Sequence, residues 1–392
     1  MQTTHAEILQ LEDYEVCETR GFLPASDPLP YLEDPYYAPW EQVAAELPKL
    51  LAARRARAVI EALPRLDIDR LTTDRERRRA MMLLSYLGHA YVWNGDAPAS
   101  KIPENLARPW HALSQTLGRP PVLSYASYAL DNWRRLDPNA PIELGNIVLL
   151  QNFLGGLDEE WFILIHVDIE AKAAPAIHSI PTVLQAAAHG DAPTLAQGLG
   201  AVAAALEQMH AVLRRMPEAC DPYIYYHRVR PYIHGWKNNP ALPNGVIYEG
   251  VDAYQGRPQQ FRGETGAQSA IIPTLDGLLG IQHADDPLKA YLMEMRLYMP
   301  PAHRRFLETV EARSRVREAV IASGDPALRE VYNACVEGVQ QFRALHLHYA
   351  AEYIYKQHAK DPKNPTGVGT GGTPFMQYLK KHRDESGNHK LS

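Results

Sequence analysis

The 392-residue sequence has few cysteines, no excess of positive charge and no long apolar run, and each absence excludes a class of protein. Cys17, Cys220 and Cys335 are widely spaced and form no CxxC pair. This argues against a disulfide framework, a zinc site and a c-type haem attachment, and it favours a reducing cytoplasm. The net charge of −6 predicts no basic surface for nucleic acid or anionic membrane. No apolar run approaches the roughly 20 residues that span a bilayer, and the acidic N-terminus does not resemble a signal peptide.

The sequence does contain helical periodicity. The first forty residues are rich in proline and acids and predict an irregular arm. The segment "TTDRERRRAMMLLSYLGHAYVWNG" then begins with a capping box formed by Thr73 and Glu76. Another helix is predicted to begin at an Asp191 cap. The apolar face of this second helix consists of Val202, Leu206, Met209 and Leu213.

Short alternating runs of β-branched residues are nearly absent, so the sequence predicts an all-α protein. The segment "LDPNAPIELGN" interrupts the helical patterns. It predicts a boundary between a small N-terminal helical domain, residues 1–150, and a larger helical domain, residues 151–392.

Two histidines, His346 and His348, stand two residues apart in "FRALHLHYAAEYI". On a helix they are separated by about 200° around the axis, so they cannot share a face. His346 aligns with the apolar positions, and we predict that it is the buried one. It is either a core histidine bonded to a carbonyl or a ligand of a metal or haem iron. Arg343, one turn earlier, either pairs with a haem propionate or forms a surface salt bridge.

The glycines of "GVGTGGTPFMQYL" form a formal G-x-G-x-x-G match at Gly367, Gly369 and Gly372. A dinucleotide site would need a strand before the motif and an acid about twenty residues after it. A predicted helix precedes the motif instead, and the chain ends at Ser392, so we expect no such site. Two interpretations stay open, namely a plain linker and a loop that closes over a ligand and presents the Thr370 hydroxyl.

Several segments together, in this order, resemble the indoleamine 2,3-dioxygenase family. They are "YIHGWKNNPALPNGVIYEG", "GAQSAIIPTLDGLLGIQ", "MRLYMPPAHRRFL", "FRALHLHYAAEYI" and "GTGGTPFMQYLK". The likeness extends upstream through "PPVLSYASYALDNWRRLDPNAP" and "WFILIHVDIEAKAAPAIHSIPTV", so it covers most of the chain from about Pro103 onward.

The resemblance implies an all-α fold whose larger domain holds haem b, ferrous in the active form. It also implies insertion of both atoms of O₂ across the C2–C3 bond of the indole ring of L-tryptophan, which gives N-formylkynurenine. Because the indole ring is electron-rich, this reaction requires a pocket that positions the ring and no strong base.

The resemblance further implies roles for particular residues. His346 is similar to the axial ligand of the iron, and Arg343 is similar to the propionate partner. Asp276 resembles the acid that pairs with this arginine, and Gly266 lies in the segment that lines the haem edge. The residues similar to the family's substrate-binding positions are Arg230 for the carboxylate, Thr370 beside it, and Tyr125, Tyr128, Tyr225 and His166 around the indole.

Two positions depart from the family's pattern. Tyr225 stands where the family commonly has a phenylalanine, and His166 stands where the mammalian enzymes have a small serine. A distal histidine is instead a feature of the related tryptophan 2,3-dioxygenases. His166 is therefore either a contact of the indole N–H or a structural histidine bonded to a backbone carbonyl. The substrate is tryptophan, a modified tryptophan or another indole.

Three functions stay open. The first is a haem dioxygenase of L-tryptophan or a close indole derivative. The second is a related haem enzyme that rearranges or oxidises a modified tryptophan in secondary metabolism. The third is a haem-binding sensor, which Arg230 and Thr370 disfavour because a sensor needs no carboxylate clamp. We expect a cytoplasmic monomer whose partners are an indole substrate, O₂ and an electron donor, with no nucleic acid and no membrane.

Overall fold

The computed structural model of the protein describes residues 8–357 and 375–392. Its α-helices, in chain order, are α1 (Ala38–Ala45), α2 (Leu47–Ala52), α3 (Ala56–Glu61), α4 (Asp74–Trp93), α5 (Glu104–Leu117), α6 (Leu157–His189), α7 (Ala192–Arg214), α8 (Pro222–Ile224), α9 (Arg230–Ile233), α10 (Ile271–Leu279), α11 (Pro287–Met295), α12 (Pro301–Arg313), α13 (Val316–Ser323), α14 (Pro326–Ala350) and α15 (Phe375–Gly387).

Strands make up little of the described chain. They are β1 (Lys101–Ile102), β2 (Trp133–Arg135), β3 (Ile147–Leu149) and β4 (Ile247–Tyr248). Strand β1 pairs in parallel with β4, and β2 pairs antiparallel with β3. Because two short ribbons are the only sheets in the described residues, the prediction of an all-α protein is confirmed.

The predicted helix starts are confirmed where the sequence carries a local cap. The Thr73 side chain accepts from the Glu76 backbone N–H, and Glu76 accepts in return from the Thr73 backbone, so α4 begins with a capping box. Asp191 accepts from the Thr194 N–H at the start of α7. The predicted apolar face of α7 is buried along its whole length.

The longest helices pack side by side and position the candidate site. Helix α6 has 33 residues and contains Pro175 and Pro181, each of which lacks the N–H that an interior helical residue donates. It packs along α7, α7 packs against α14, and α14 also contacts α15. This layer carries His166 on α6, and it carries Arg343 and His346 on α14.

The buried apolar side chains form two clusters. The first surrounds α4 and includes Trp110 and Trp236, and the second includes Met209 on α7. Each cluster contains residues from before and after position 150, since Trp236 belongs to the first cluster and Phe22 to the second. The division into residues 1–150 and 151–392 stays a prediction.

Three π-helical turns interrupt the described chain, and π turns often occur at functional sites. They span Ala126–Leu130, Tyr225–Val229 and Ala351–Tyr355. Tyr125 directly precedes the first turn, and Arg230 directly follows the second. Among the described helices, none is long and apolar enough to cross a membrane.

Candidate functional site

Of the two α14 histidines, His346 departs from the prediction and His348 does not. Both side chains are exposed, so the prediction that His346 would be buried is wrong. Burial within the surrounding protein, together with smaller effects of nearby His166 and Arg343, nevertheless lowers the pKa of His346 to about 4. A side chain that is exposed and yet surrounded by protein borders an internal space. The apolar stripe of α14 therefore faces a space at His346, while Val339 and Tyr353 on the same stripe are buried.

Arg343 and Asp276 form a buried ion pair between α14 and α10. Arg343 Nη1 lies 3.0 Å from Asp276 Oδ1, and Nη2 lies 2.5 Å from Oδ2. Their side chains are only 12% and 11% exposed, so this is not a surface salt bridge. Burial alone would raise the pKa of Asp276, but Arg343 and His283 outweigh it and lower that pKa to about 2. Arg343 Nη1 also donates to Ser386 Oγ at 2.5 Å.

Gly266 begins a short 3-10 turn, Gly266–Gln268, and borders open space. It is exposed, and a Cβ placed on it would meet no atom of the described residues within 4 Å. The turn is fixed to the rest of the site at its far end. Gln268 Oε1 accepts from the Tyr125 backbone N–H at 2.9 Å, and Ser269 Oγ donates to Glu170 at 2.9 Å.

Three of the predicted pocket residues surround the ring of Phe162 on α6. Its ring centroid lies 4.4 Å from that of Tyr225, 4.8 Å from that of His166 and 6.4 Å from that of Tyr128. The Tyr125 ring lies 6.0 Å from His166 on the other side. The four residues that the sequence assigned to the indole pocket are therefore neighbours in the structure.

Sequence analysis missed Phe162 itself. It precedes His166 by four residues on a predicted helix, and residues with this spacing are neighbours on a helix surface. That spacing was the signal that could have identified it.

His166 forms the bond to a backbone carbonyl that one of its two predicted roles requires. Its Nδ1 lies 2.7 Å from the Phe162 backbone oxygen. A carbonyl oxygen only accepts hydrogen bonds, so Nδ1 carries the hydrogen. Burial lowers the pKa of His166, which keeps the ring neutral, and Nε2 is then an acceptor. Among the described residues, none forms a hydrogen bond with this Nε2.

Arg230 brings a buried cation to the same pocket. Its side chain is 1% exposed, and its guanidinium carbon lies 5.4 Å from the centroid of the Tyr226 ring. Burial lowers the pKa of Arg230, and the nearby Tyr225 and Tyr226 oppose this shift. Because a guanidinium binds a carboxylate through two parallel hydrogen bonds, Arg230 is suited to an acidic ligand.

Sequence analysis also did not predict two buried glutamates, Glu170 and Glu264, as residues of the site. Glu170 Oε1 accepts from the Tyr125 hydroxyl at 2.9 Å, and burial raises the pKa of Glu170 to about 7. Burial raises the pKa of Glu264 to about 8. Glu170 follows His166 by four residues, so the helical spacing that links Phe162 to His166 could also have identified Glu170.

The remaining predicted residue, Thr370, lies outside the described residues, as do Gly367, Gly369 and Gly372. The structure therefore brings together His166, Tyr125, Tyr128 and Tyr225 around Phe162. His346 lies close enough to His166 for that ring to influence its pKa.

Comparison with known proteins confirms the resemblance. Residues 10–389 match the protein family described as "Indoleamine 2,3-dioxygenase". The sequence is 41% identical to indoleamine 2,3-dioxygenase 1 of Rattus norvegicus, with 97% of this chain and 96% of the relative covered. It is 34% identical to indoleamine 2,3-dioxygenase 2 of Homo sapiens, with 96% and 95% covered. It is 36% identical to indoleamine 2,3-dioxygenase acdA of Aspergillus candidus, with 95% and 96% covered.

Proposed function

The chain belongs to the indoleamine 2,3-dioxygenase family and is an oxidoreductase, and from this premise we propose that it is a haem-dependent dioxygenase of L-tryptophan. The reaction adds both atoms of O₂ across the C2–C3 bond of the indole ring and gives N-formylkynurenine. The observation that carries the proposal is the nearness of a neutral imidazole, His346, to the aromatic pocket that contains His166.

The residues around His346 fit a haem. Its pKa of about 4 keeps the imidazole neutral, which is the form that binds iron, and the ring borders an internal space. Arg343 one turn earlier supplies a positive charge for a propionate. The open space beside Gly266 suits a cofactor edge. Haem b held by His346 and Arg343 would supply the ferrous iron that activates O₂.

Arg230 would hold the carboxylate of the substrate. The Arg230 guanidinium is 1% exposed and lies in a low-dielectric site, where a charge-assisted contact with an incoming carboxylate is stronger than it is in water. This contact fixes one end of the amino acid. The indole ring at the other end would pack on Phe162 and Tyr225, whose centroids are 4.4 Å apart.

His166 would orient the indole ring within its plane. Its Nε2 is an acceptor because Nδ1 donates to the Phe162 carbonyl, and the indole N–H is a donor only. The proton stays on the indole nitrogen in this arrangement. Positioning by Arg230 and His166 is the contribution that the chain itself makes to the rate.

A turnover assay tests the proposal. The haem-loaded protein is reduced without oxygen, L-tryptophan and then O₂ are added, and the absorbance of N-formylkynurenine is followed. We expect product from L-tryptophan and much less turnover of indole, which has no carboxylate. A reduced, haem-loaded protein that binds O₂ but gives no product from any indole would support the sensor instead.

One observation favours a second substrate, a tryptophan with a hydroxyl on its ring. The Tyr128 side chain is 1% exposed, and its hydroxyl has no hydrogen-bond partner within the described residues. A hydroxyl on the substrate ring would satisfy this group. Comparing kcat/KM for L-tryptophan and 5-hydroxy-L-tryptophan tests this, and Tyr128→Phe should remove any preference for the hydroxylated substrate.

The proposal includes the cellular setting that the sequence suggested. We propose a cytoplasmic monomer that acts in tryptophan catabolism through the kynurenine pathway and receives electrons from a separate donor. Size-exclusion chromatography of the haem-loaded protein tests the monomeric state.

A further inference from the structure

A cluster of two histidines and one glutamate lies away from the aromatic pocket. His382 and Glu385 stand one turn apart on α15, and His283 lies shortly after α10. One ligand atom from each of the three side chains lies within 4.8 Å of the other two. The imidazole rings of His283 and His382 stack with their centroids 4.0 Å apart and their planes 15° apart. Nothing in the proposed reaction uses these side chains.

His283 connects two carboxylates. Its Nδ1 lies 2.8 Å from Glu385 Oε2, and its Nε2 lies 3.3 Å from Asp276 Oδ2. Carboxylate oxygens only accept hydrogen bonds, so His283 donates from both nitrogens in this arrangement. The hydrogens on the two His283 ring nitrogens therefore lie where a metal cation could bind instead.

His382 is a buried imidazole without a polar partner. Its side chain is 7% exposed, and its ring nitrogens form no hydrogen bond with any described residue. Burial lowers the pKa of His382 to about 3, and the nearby His283 and Arg343 contribute to this shift. The ring is therefore neutral, which is the form in which histidine binds metals.

We propose that His283, His382 and Glu385 form a binding site for a divalent transition-metal ion, with Zn²⁺ as the best match. Two imidazoles and one carboxylate form a ligand set that zinc uses with a fourth position for water. The imidazoles disfavour Mg²⁺ and Ca²⁺, which prefer oxygen ligands. The three ligands do not include His346, and the proposed reaction uses none of them.

Binding would require a small rearrangement. Zinc–nitrogen bonds of about 2.1 Å in a tetrahedron hold ligand atoms roughly 3.4 Å apart. The present separations, within 4.8 Å, would have to shorten to this value, and rotation of an imidazole out of the stack would allow this. The ion then replaces the hydrogen that His283 Nδ1 donates to Glu385, and this proton is released to water.

The position of the site indicates what zinc would stabilise. Ser386, next to Glu385, accepts from Arg343, which is paired with Asp276. An ion shared by His283 and the two α15 ligands would fasten α15 to the end of α10 beside this ion pair. Zinc should therefore raise the melting temperature of the protein.

Zinc binding to the haem-loaded protein tests the proposal. The protein is dialysed against a chelator, titrated with Zn²⁺ in competition with a chromogenic chelator, desalted, and analysed for zinc and iron. We expect one tightly bound zinc per chain in addition to the haem iron, and no competition from Mg²⁺. We also expect His382→Val and Glu385→Gln each to lower the zinc affinity at least about tenfold.

The control is His189→Gln, which alters an exposed histidine at the end of α6 and should leave zinc affinity unchanged. Haem content shows whether each variant has folded, and Glu385→Gln provides the test if His382→Val does not fold. No zinc retained after desalting, or equal affinity in both variants and the unaltered protein, would overturn the site. This result is independent of whether the protein turns over tryptophan.

Discussion

Replacing His166 by serine should weaken the use of substrates that carry an indole N–H and spare those that do not. In the structure, the bond of 2.7 Å from Nδ1 to the Phe162 carbonyl fixes the ring and leaves Nε2 as an acceptor. Serine is shorter than histidine and cannot reach the same point. The variant should therefore remove the proposed hydrogen bond to the indole and leave the proposed carboxylate contact of Arg230 in place.

The size of the effect follows from what the indole N–H loses. A hydrogen bond makes a net contribution of about 1 kcal/mol, and a buried donor left without a partner costs about 1–3 kcal/mol. These free energies correspond to a decrease of roughly 5- to 150-fold in kcat/KM for L-tryptophan. For 1-methyl-L-tryptophan, which has no N–H, the decrease should be small.

The assay compares kcat/KM for both substrates in the unaltered protein, in His166→Ser and in His189→Ser. His189 lies at the exposed end of the same helix, so this control carries the same substitution away from the pocket. An equal loss for both substrates in His166→Ser, or no loss for either, would show that His166 serves packing and not recognition.

The same contact predicts a pH dependence. Burial lowers the pKa of His166 below its usual value, so the accepting form persists at neutral pH. The contact is fully present above the lowered pKa and is lost as the pH falls through it. For L-tryptophan, kcat/KM should therefore decrease on the acid side of about 6.5, the usual pKa of histidine. The profile for 1-methyl-L-tryptophan should lack this decrease, and identical profiles would contradict the assignment.

Three further substitutions test the rest of the site. His346→Ala should purify without a Soret band while His348→Ala keeps one, and the reverse result would refute the ligand assignment. Arg230→Ala should lose about 2–4 kcal/mol of transition-state binding, roughly thirty- to a thousandfold in kcat/KM, and keep its haem; equal activity of the unaltered protein on tryptophan and indole would contradict this role. Asp276→Asn should lower the free energy of unfolding by about 3 kcal/mol or more in urea at neutral pH, because Arg343 stays buried without its partner. Because the pKa of Asp276 is lowered to about 2, the stabilisation by this ion pair is fully present above the unfolded pKa of about 4 and is lost as the pH falls to about 2. An unchanged urea midpoint of Asp276→Asn at neutral pH would refute this prediction.

Local signals in the sequence predicted much of the fold. The Thr73 capping box and the Asp191 cap begin α4 and α7 where expected, because a cap involves residues only three positions apart. The apolar face of α7 was also predicted, since helical spacing alone decides which residues share a side.

The prediction for His346 was wrong for a physical reason. Periodicity indicates which side of a helix turns toward the interior, and it contains no information about what occupies that interior. Val339 and Tyr353 on this side are packed, whereas His346 borders a space. Only the arrangement of the other helices determines where such a space lies.

Contacts between distant residues could not be derived from spacing. Asp276 and Arg343 are 67 residues apart, and this pair was expected only through the family resemblance. Tyr125 and Glu170 are 45 residues apart, and no pattern in the sequence joins them. The resemblance was required to assemble the candidate site, because local patterns predict elements and not their contacts.

The origin of the oxygen atoms in the product tests the central claim most directly. The reduced, haem-loaded protein is supplied with L-tryptophan and isotopically labelled O₂, and the product is analysed by mass spectrometry. We predict N-formylkynurenine in which both added oxygen atoms carry the label. A product with one labelled atom, or with oxygen only from water, would contradict the assignment of this protein as a dioxygenase of the indole C2–C3 bond.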